Sequence, residues 1–275
     1  MTTVAGLLRA SPLPALEARI LLEHVLGWRR TELITRDDED LAAESVSRFE
    51  ALAQRRIDGE PVAQLVGSRE FFGLSFDVTP DVLIPRPETE LLVEIALAKI
   101  EGIDTPRVLD LGTGSGAIAV AIASSHRNAQ VWAVDQSAEA LAVAARNALK
   151  LLGSNRSLTF LQSNWTAVLN PALRFEVIVS NPPYIAQHDP HLAVGDLRFE
   201  PRTALTDEAD GLSAIRTIIQ TAPFFLAANG SLWLEHGYDQ AAEVRALLTS
   251  RGFSDVRSER DLAGIERVSG GVFAA

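Results

Sequence analysis

Cysteine is absent from all 275 residues, which excludes disulfides and thiolate metal sites outright. Positive charge is scarce as well: 25 Lys and Arg stand against 36 Asp and Glu, a formal net charge of −11. Nucleic-acid binders neutralise phosphates with a basic patch, so this balance argues for a protein or small-molecule partner and against nucleic acid. No apolar run approaches the roughly 20 residues that cross a bilayer. The first ten residues, Met1 to Ala10, lack the charged-then-apolar layout of a secretion signal. The expectation is a cytoplasmic monomer with no membrane partner. With 47% hydrophobic and 22% charged residues, the chain can bury the core of one large domain or two modest ones.

The first part reads as helical. Leu16, Ile20, Leu21 and Val25 recur at helical spacing, and Gly27 is a natural stop. A second amphipathic stretch runs from Leu41 to Ile57, with Val46, Phe49, Leu52 and Ala53 on one side. Between them the acidic run Asp37 to Asp40 reads as a solvated turn or helix start. From Glu70 the pattern changes. Phe71, Phe72, Leu74, Phe76 and Val78 surround Gly73, which predicts a β-hairpin turning there. In Ile84-Pro85-Arg86-Pro87 the prolines enforce an extended segment before a helix carrying Leu91, Leu92, Ile95, Ala96 and Ile100.

Beyond Arg107 short apolar runs alternate with helical stretches. Strands are predicted at Val108–Leu111, Gln130–Asp135, Leu158–Leu161, Phe175–Val179 and Ser231–Glu235. Helices are predicted at Ala117–Ser124, Ala138–Leu152, Gly211–Leu226 and Gln240–Arg251. That alternation is the signature of a parallel sheet with helices on both faces. The last two runs, Phe253–Val256 and Glu266–Phe273, leave little room for a helix between them and should pair antiparallel.

Two loops carry the chemistry. Asp110-Leu111-Gly112-Thr113-Gly114-Ser115-Gly116 follows a strand and opens a helix, where glycine permits close approach of a ligand. With Ala117 the run also satisfies the dinucleotide pattern, so a nicotinamide cofactor competes with S-adenosylmethionine. Asp135 ends the next strand, where an acid reaches the ribose hydroxyls of either cofactor. Adenosylmethionine has no phosphate. It has a sulfonium and an amino-acid end, and Asp110 suits the ammonium, directly or through water. The second loop, Asn181-Pro182-Pro183-Tyr184, directly follows the run Phe175 to Ser180, at the carboxyl edge of the sheet where ligands of open α/β sheets bind. An amide or exocyclic amine nitrogen is a poor nucleophile because its lone pair is delocalised. Two acceptors holding its N–H bonds, the Asn181 side-chain oxygen and the Pro182 carbonyl, favour the pyramidal nitrogen that develops during attack. Proline offers that acceptor with no competing donor, and Tyr184 offers a flat face to a flat group. Catalysis is then positioning, with no metal and no strong base.

An N-P-P-Y run after the fourth strand, with the glycine loop after the first, resembles the amino-methylating branch of the class I methyltransferases. The segment Gly67 to Glu90 narrows this. Arg69-Glu70-Phe71-Phe72-Gly73 and Ile84-Pro85-Arg86-Pro87-Glu88-Thr89-Glu90 resemble the PrmC (HemK) family, glutamine N5-methyltransferases of the Gly-Gly-Gln loop of class I peptide chain release factors. The likeness continues through Glu200-Pro201-Arg202, Glu235-His236-Gly237, Gln240, Asp261-Leu262-Ala263-Gly264 and Arg267. The resemblance implies an α/β fold, a Rossmann-like seven-stranded sheet of the class I methyltransferase type. It implies a small helical N-terminal domain over 1–66 for substrate binding, a β-hairpin linker over 67–85 and the catalytic domain over 86–275. It implies S-adenosyl-L-methionine as cofactor, with S-adenosyl-L-homocysteine as product. Gly112, Thr113, Gly114, Ser115, Gly116, Asp135 and Asn181 would touch that cofactor, and Arg86, Glu88, Thr89 and Glu90 would cover its methionine end. Asn181, Pro182, Pro183 and Tyr184 would hold the substrate glutamine.

The chain departs from the family where Asp-Trp usually follows the third strand. Here Asn164-Trp165 stands, leaving Trp165 as the adenine-side wall and Asn164 as an uncharged acceptor. His188, Asp189 and His191 make a weak metal set. His236 reads as structural. The rival readings are a ribosomal-protein glutamine methyltransferase, a nucleic-acid amino-methyltransferase, a non-catalytic binding protein and a nicotinamide oxidoreductase.

Overall fold

The computed structural model describes residues 2–154 and 157–274. The chain divides into two compact units. The first runs to Ser68 and takes in Val194–Phe199, and the second comprises Arg69–Ala193 and the chain from Glu200 onward.

Among the described residues, five α-helices build the first unit: α1 (Val4–Ala10), α2 (Ala15–Leu26), α3 (Arg30–Thr35), α4 (Ala43–Ile57) and α5 (Val62–Val66). Gly27 ends α2 in the left-handed conformation at φ 66°, as a C-terminal glycine should. The core joins Val4, Leu7, Leu21, Leu22, Val25, Leu33, Phe49, Ala53 and Leu65. The α2 stripe is rotated from the one expected. Ala18, Leu21, Leu22 and Val25 face inward, and Leu16 is 64% exposed. The short helices α1, α3 and α5 span too few residues to display a period. Segment 194–199 joins this unit through polar contacts. Arg56 bridges Glu17 and Asp196, each at 2.8 Å, and Gln64 Nε2 donates to the Phe199 carbonyl at 3.0 Å.

From Arg69 the second unit opens on a hairpin, whose strands are β1 (Ser68–Phe71, its first residue closing the leading segment of the first unit) and β2 (Leu74–Asp77). Phe72 and Gly73 both have positive φ, 52° and 73°, which is the two-residue turn that suits strand twist. The carboxylate of Glu90, at the start of α6 (Glu90–Ile100), accepts the Phe72 N–H at 2.8 Å and fixes the hairpin to that helix. Then follow β3 (Arg107–Leu111), α7 (Ala117–Ser125), β4 (Gln130–Asp135), α8 (Ala138–Leu152), β5 (Leu158–Gln162) and β6 (Phe175–Ser180). The chain ends with α9 (Arg202–Leu205), α10 (Ser213–Thr221), β7 (Leu226–Glu235), α11 (Ala241–Arg251), β8 (Ser254–Arg260) and β9 (Glu266–Phe273).

Seven strands form one sheet in the order β5-β4-β3-β6-β7-β9-β8. All pair parallel except β9, which runs antiparallel to both β7 and β8. This is the fold of the class I methyltransferases. Strand side chains alternate between two cores. Val108, Val177, Val179 and Trp233 join one with α6, α7 and α8. Leu109, Leu111, Ile178, Leu232 and Leu234 join the other with α10 and α11. Helix α7 is apolar all round, and every residue from Ala117 to Ala123 is buried.

One expected helix, Gly211–Leu226, is shorter. Pro223 lacks an N–H and sits in a 3₁₀ turn over Ala222–Phe225, and Leu226 already belongs to β7. The apolar spacing runs on through the break, so the period alone conceals it. Among the described residues no helix is long and apolar enough to cross a membrane.

Gly270 sits directly opposite Trp233 in the β7–β9 ladder, and a Cβ there would lie 2.3 Å from the indole. Gly270→Ala is therefore expected to destabilise the fold by about 1–3 kcal/mol through overpacking. The check is the thermal midpoint by circular dichroism, which should fall by several degrees; an unchanged midpoint would contradict the packing described.

Candidate active site

Strands β3, β4 and β6 deliver their carboxyl ends to one cleft of about 330 Å³. Bordering it are Arg86, Thr89, Gly112, Thr113, Gly114, Ser115, Asp135, Asn164, Trp165, Asn181 and Pro183. The parallel register pairs Leu111 with Ser180, so the glycine loop and Asn181 leave neighbouring strands side by side. The buried Ser180 hydroxyl donates to the Leu111 carbonyl at 2.6 Å and locks that junction.

The glycine loop spends its own donors internally. Gly112 N and Thr113 N donate to the Val134 carbonyl at 2.8 and 2.9 Å, Gly114 N to Asp135 Oδ2 at 2.9 Å and Gly116 N to the Thr113 carbonyl at 2.8 Å. A pyrophosphate cradle needs such N–H groups free. The cleft also carries acids: Asp81, Asp135 and Glu139 border it, and Arg86, the one cation bordering it among the described residues, is ion-paired to Glu200. Both features disfavour a dinucleotide and suit a cationic ligand.

Gly112 and Gly114 have positive φ, 75° and 54°, and a Cβ on Gly112 would meet the Trp165 ring at 3.4 Å. Trp165 itself holds φ 49°, a conformation rare for a bulky residue and found where surrounding structure enforces it. Gly116 does not border the cleft. Its absent Cβ lets α7 approach α8, where Ala144 Cβ would lie 3.0 Å away. Asn147 of α8, which the sequence reading did not single out, ties this region together. Its side chain donates to the Ser115 carbonyl at 2.9 Å and pairs with the backbone of Asp77 at 2.7 and 3.0 Å. A polar residue inside a helical pattern gives no sign of such a task.

Asp110 lies fully buried behind the loop. Its Oδ2 accepts from Thr113 Oγ1 at 2.6 Å, and its Oδ1 has no partner. Burial pushes this carboxyl up to about 7, with the nearby Asp135 charge adding to the effect. Glu235, at the end of β7, is also pushed up to about 7 by burial. A folded-state value raised above the ordinary one means each group's share of stability is present below the carboxylate range and lost as pH rises through about 7.

In the cleft wall, Asn181 Nδ2 donates to Thr89 Oγ1 at 3.1 Å, which leaves the Asn181 carbonyl oxygen as the open acceptor. Tyr184 donates its hydroxyl to Glu235 Oε1 at 3.2 Å. Its carbonyl accepts from Gln240 Nε2 at 3.0 Å, beneath Gly211, where a Cβ would come within 2.5 Å of that carbonyl. Arg86 and the Ile84 N–H both bind the buried Glu200. Glu90 serves the hairpin, and Glu88, Asp110, Pro182 and Tyr184 also stand outside the set of residues that border the cleft. Val82, Leu83, Pro201, Thr203 and Ala204 do border it without having been predicted as site residues: four of them are apolar and carry no chemical signal, and Thr203 and Ala204 come from the short helix α9. His236 is buried between Ser269 Oγ at 2.7 Å and the Gly237 carbonyl at 2.8 Å. His191 and Asp189 pair at 2.6 Å on the surface, and among the described residues no group of three His, Asp or Glu could hold a metal.

Comparison with known proteins places the chain in a family. Residues 2–67 match the PrmC N-terminal domain, and residues 87–201 match the methyltransferase small domain. A release factor glutamine methyltransferase of Burkholderia pseudomallei is 68% identical over 272 residues, spanning 98% of this chain and 95% of its own. One of Bordetella pertussis is 54% identical over 271 residues, spanning 98% of this chain and 99% of its own. The chain belongs to the family of release factor glutamine methyltransferases. The same fold occurs in the T. thermophilus 16S rRNA N2 G1207 methyltransferase, solved with AdoMet and guanosine, at a TM-score of 0.54 and 20% identity. That likeness covers 75% of this chain and 49% of the other.

In this methyltransferase Gly112→Ala is expected to cut methyl transfer at least tenfold. The added Cβ meets both the φ penalty of about 1–2 kcal/mol and the Trp165 ring. Turnover measured beside an unchanged far-ultraviolet circular dichroism spectrum tests this, and wild-type turnover would clear Gly112 of any close approach.

Proposed function

We propose that the chain methylates the side-chain nitrogen of the glutamine in the Gly-Gly-Gln motif of class I peptide chain release factors, using S-adenosyl-L-methionine. The observation that carries this reading is the Asn181 amide, held through its nitrogen by Thr89 so that its oxygen is left to accept from a planar amide. The cofactor fits the residues present. Asp110 Oδ1 is a buried acceptor without a partner and suits an ammonium. Asp135 keeps free lone pairs for ribose hydroxyls although each oxygen already accepts one backbone N–H, from Gly114 and Ser137. Trp165 and Asn164, which border the cleft, would wall the adenine and accept from its amine, and Arg86 and Thr89 would close the methionine end. When bound, adenosylmethionine supplies an activated methyl group on a sulfonium.

The chain's own residues do the rest. Asn181 Oδ1 and the Pro182 carbonyl accept the two amide N–H bonds of the glutamine, so its nitrogen lone pair leaves conjugation as attack begins. Tyr184 packs against the amide plane, and Pro183 shapes the approach. Rate enhancement comes from orientation and from acceptors fixed before the reaction starts. The helical region over 1–66 grips the release factor, the hairpin segment 67–85 links it, and residues 86–275 carry the chemistry, all in a cytoplasmic monomer.

The deciding experiment incubates the protein with labelled adenosylmethionine and a class I release factor, beside the same factor with its motif glutamine changed to alanine. One methyl on that glutamine, absent from the control, is expected. An unlabelled factor, with enzyme that binds the cofactor, would overturn this reading and turn attention to a ribosomal protein. Asn181→Ala should lower turnover by about 100-fold, the scale of losing one preorganised polar contact. Cofactor binding carries its own pH signature. Asp110 must lose its proton to face an ammonium, so affinity for adenosylhomocysteine should rise up to tenfold per pH unit below 7 and level above it. Calorimetry between pH 5.5 and 7.5 reads this, and Asp110→Asn should bind more weakly with a flat profile.

A further inference from the structure

Gln240 directly precedes α11, and the mechanism above gives it no task. Its backbone is fixed from both sides. Its N–H donates to the Gly237 carbonyl at 3.1 Å, and its carbonyl accepts from Val244 N at 3.0 Å. Helix α11 is in turn held by Val244 and Leu248, fully buried in the same core as Leu232 and Leu234 of β7 and Ile215 and Ile218 of α10. From that anchored base the side chain reaches three separate loops. Nε2 donates to the Tyr184 carbonyl at 3.0 Å and to the Gly211 carbonyl at 3.3 Å, and Oε1 accepts the Gly237 N–H at 2.8 Å. Two glycines leave room for this amide: a Cβ on Gly211 would lie 3.0 Å from Nε2, and one on Gly237 3.1 Å from Oε1. Both N–H donors of the amide are thus spent on carbonyls and its oxygen on an N–H. Turning the amide over would set like against like at all three contacts, so its orientation is fixed.

We propose that Gln240 is a positioning residue that fixes Tyr184 for the substrate amide by clamping its backbone carbonyl. The proposal rests on the reading of Tyr184 as the face that packs against that amide. The peptide between Tyr184 and Ile185 is pinned on both sides. Its carbonyl accepts from Gln240, and its N–H, on Ile185, donates to the Leu205 carbonyl at 3.0 Å. The far end of the Tyr184 side chain is held separately, by its hydroxyl on Glu235 Oε1 at 3.2 Å. With the backbone released, that one distant contact would leave the ring free to tilt. Asn181, Pro182 and Tyr184 lie on one short loop. Its entry is set by the pairing of Ser180 with Leu111, and its exit by Gln240. Gln240 itself stands outside the set of residues that border the cleft, so it acts through Tyr184 and not on a ligand. The glycine loop is held independently, by Val134 and Asp135, so loss of the clamp should spare cofactor binding.

The test uses the full chain and Gln240→Glu. This change keeps the side-chain length and an acceptor for the Gly237 N–H, but sets a carboxylate oxygen against the Tyr184 and Gly211 carbonyls in place of a donor. The first readout needs no substrate. The chain has two tyrosines, so ¹³C-carbonyl labelling of tyrosine gives two signals, and Tyr184→Phe identifies the one from position 184. In Gln240→Glu that signal should move upfield as its hydrogen bond is lost. The second readout is kinetic, at saturating adenosylmethionine. There kcat on a release factor should fall about 10- to 100-fold while affinity for adenosylhomocysteine stays within about threefold of wild type. A purely structural residue would lower both together. Gln240→Met fills the space with neither donor nor acceptor; it should show the same split, and it carries the test should the carboxylate prevent folding. A Tyr184 carbonyl signal that stays in place overturns the proposal, as does a moved signal with kcat within about twofold of wild type. So does a fall in kcat matched by an equal loss of cofactor affinity. A wild type that labels no release factor counts against the substrate reading alone, and the Tyr184 signal then decides whether Gln240 holds that residue.

Discussion

The register of β3 against β6 is the constraint on which the site depends. Leu111 pairs with Ser180, and the Ser180 hydroxyl closes on the Leu111 carbonyl at the point where both strands end. Side chains on a strand alternate with period two, so a slip of one residue would turn Val177 and Val179 out of one core and Ile178 out of the other. Apolar burial on both faces thus fixes a polar arrangement at the edge. The glycine loop leaves one strand and Asn181 leaves its neighbour, at positions that the Leu111–Ser180 pairing holds side by side. The loops are precise because the strands beneath them have no alternative register of comparable energy.

Three buried acids surround this edge, and their partners separate their roles. Glu200 has a guanidinium and a backbone N–H, from Arg86 and Ile84, so its charge is compensated and it holds the 84–86 segment in place. Asp110 and Glu235 have one hydroxyl partner each and one unpaired oxygen. An uncompensated buried charge is expensive, and a protein relieves it by neutralising the group or supplying a partner on binding. Residues kept in that condition lower the stability of the empty fold and gain in preorganisation.

Much of this was legible in the sequence because the underlying signals are local. A strand running into Gly112-Thr113-Gly114 and another running into Asn181-Pro182-Pro183-Tyr184 announce themselves by composition and order, and α8 and β9 begin and end where their apolar patterns do. The α2 stripe was misread by a rotation, since Leu16 is apolar by type and exposed by position. The long helix predicted through Pro223 failed because apolar spacing continues across a proline that ends the hydrogen-bond ladder. Asn147 and the short segment 194–199 were invisible for a different reason. Their tasks consist of partners 32 to 140 residues away, and nothing in their own neighbourhood encodes those partners.

The glycine loop shows how far such local signals reach. As a string it fits a dinucleotide and adenosylmethionine alike, because glycine spacing reports only that a backbone must turn tightly near a ligand. What separates the two is the destination of the loop's N–H groups, and these go to Val134, Asp135 and Thr113 and leave little for a phosphate. The acid at the end of β4 is central to that choice. Asp135 is read in the sequence as a ribose ligand, and in the fold it also accepts the Gly114 N–H, so the same carboxylate that can bind a sugar withdraws a donor from the phosphate position. The donor withdrawn from the phosphate position is thus taken by a hydrogen bond between two elements that the sequence identifies separately and that the register of β3 and β4 brings together.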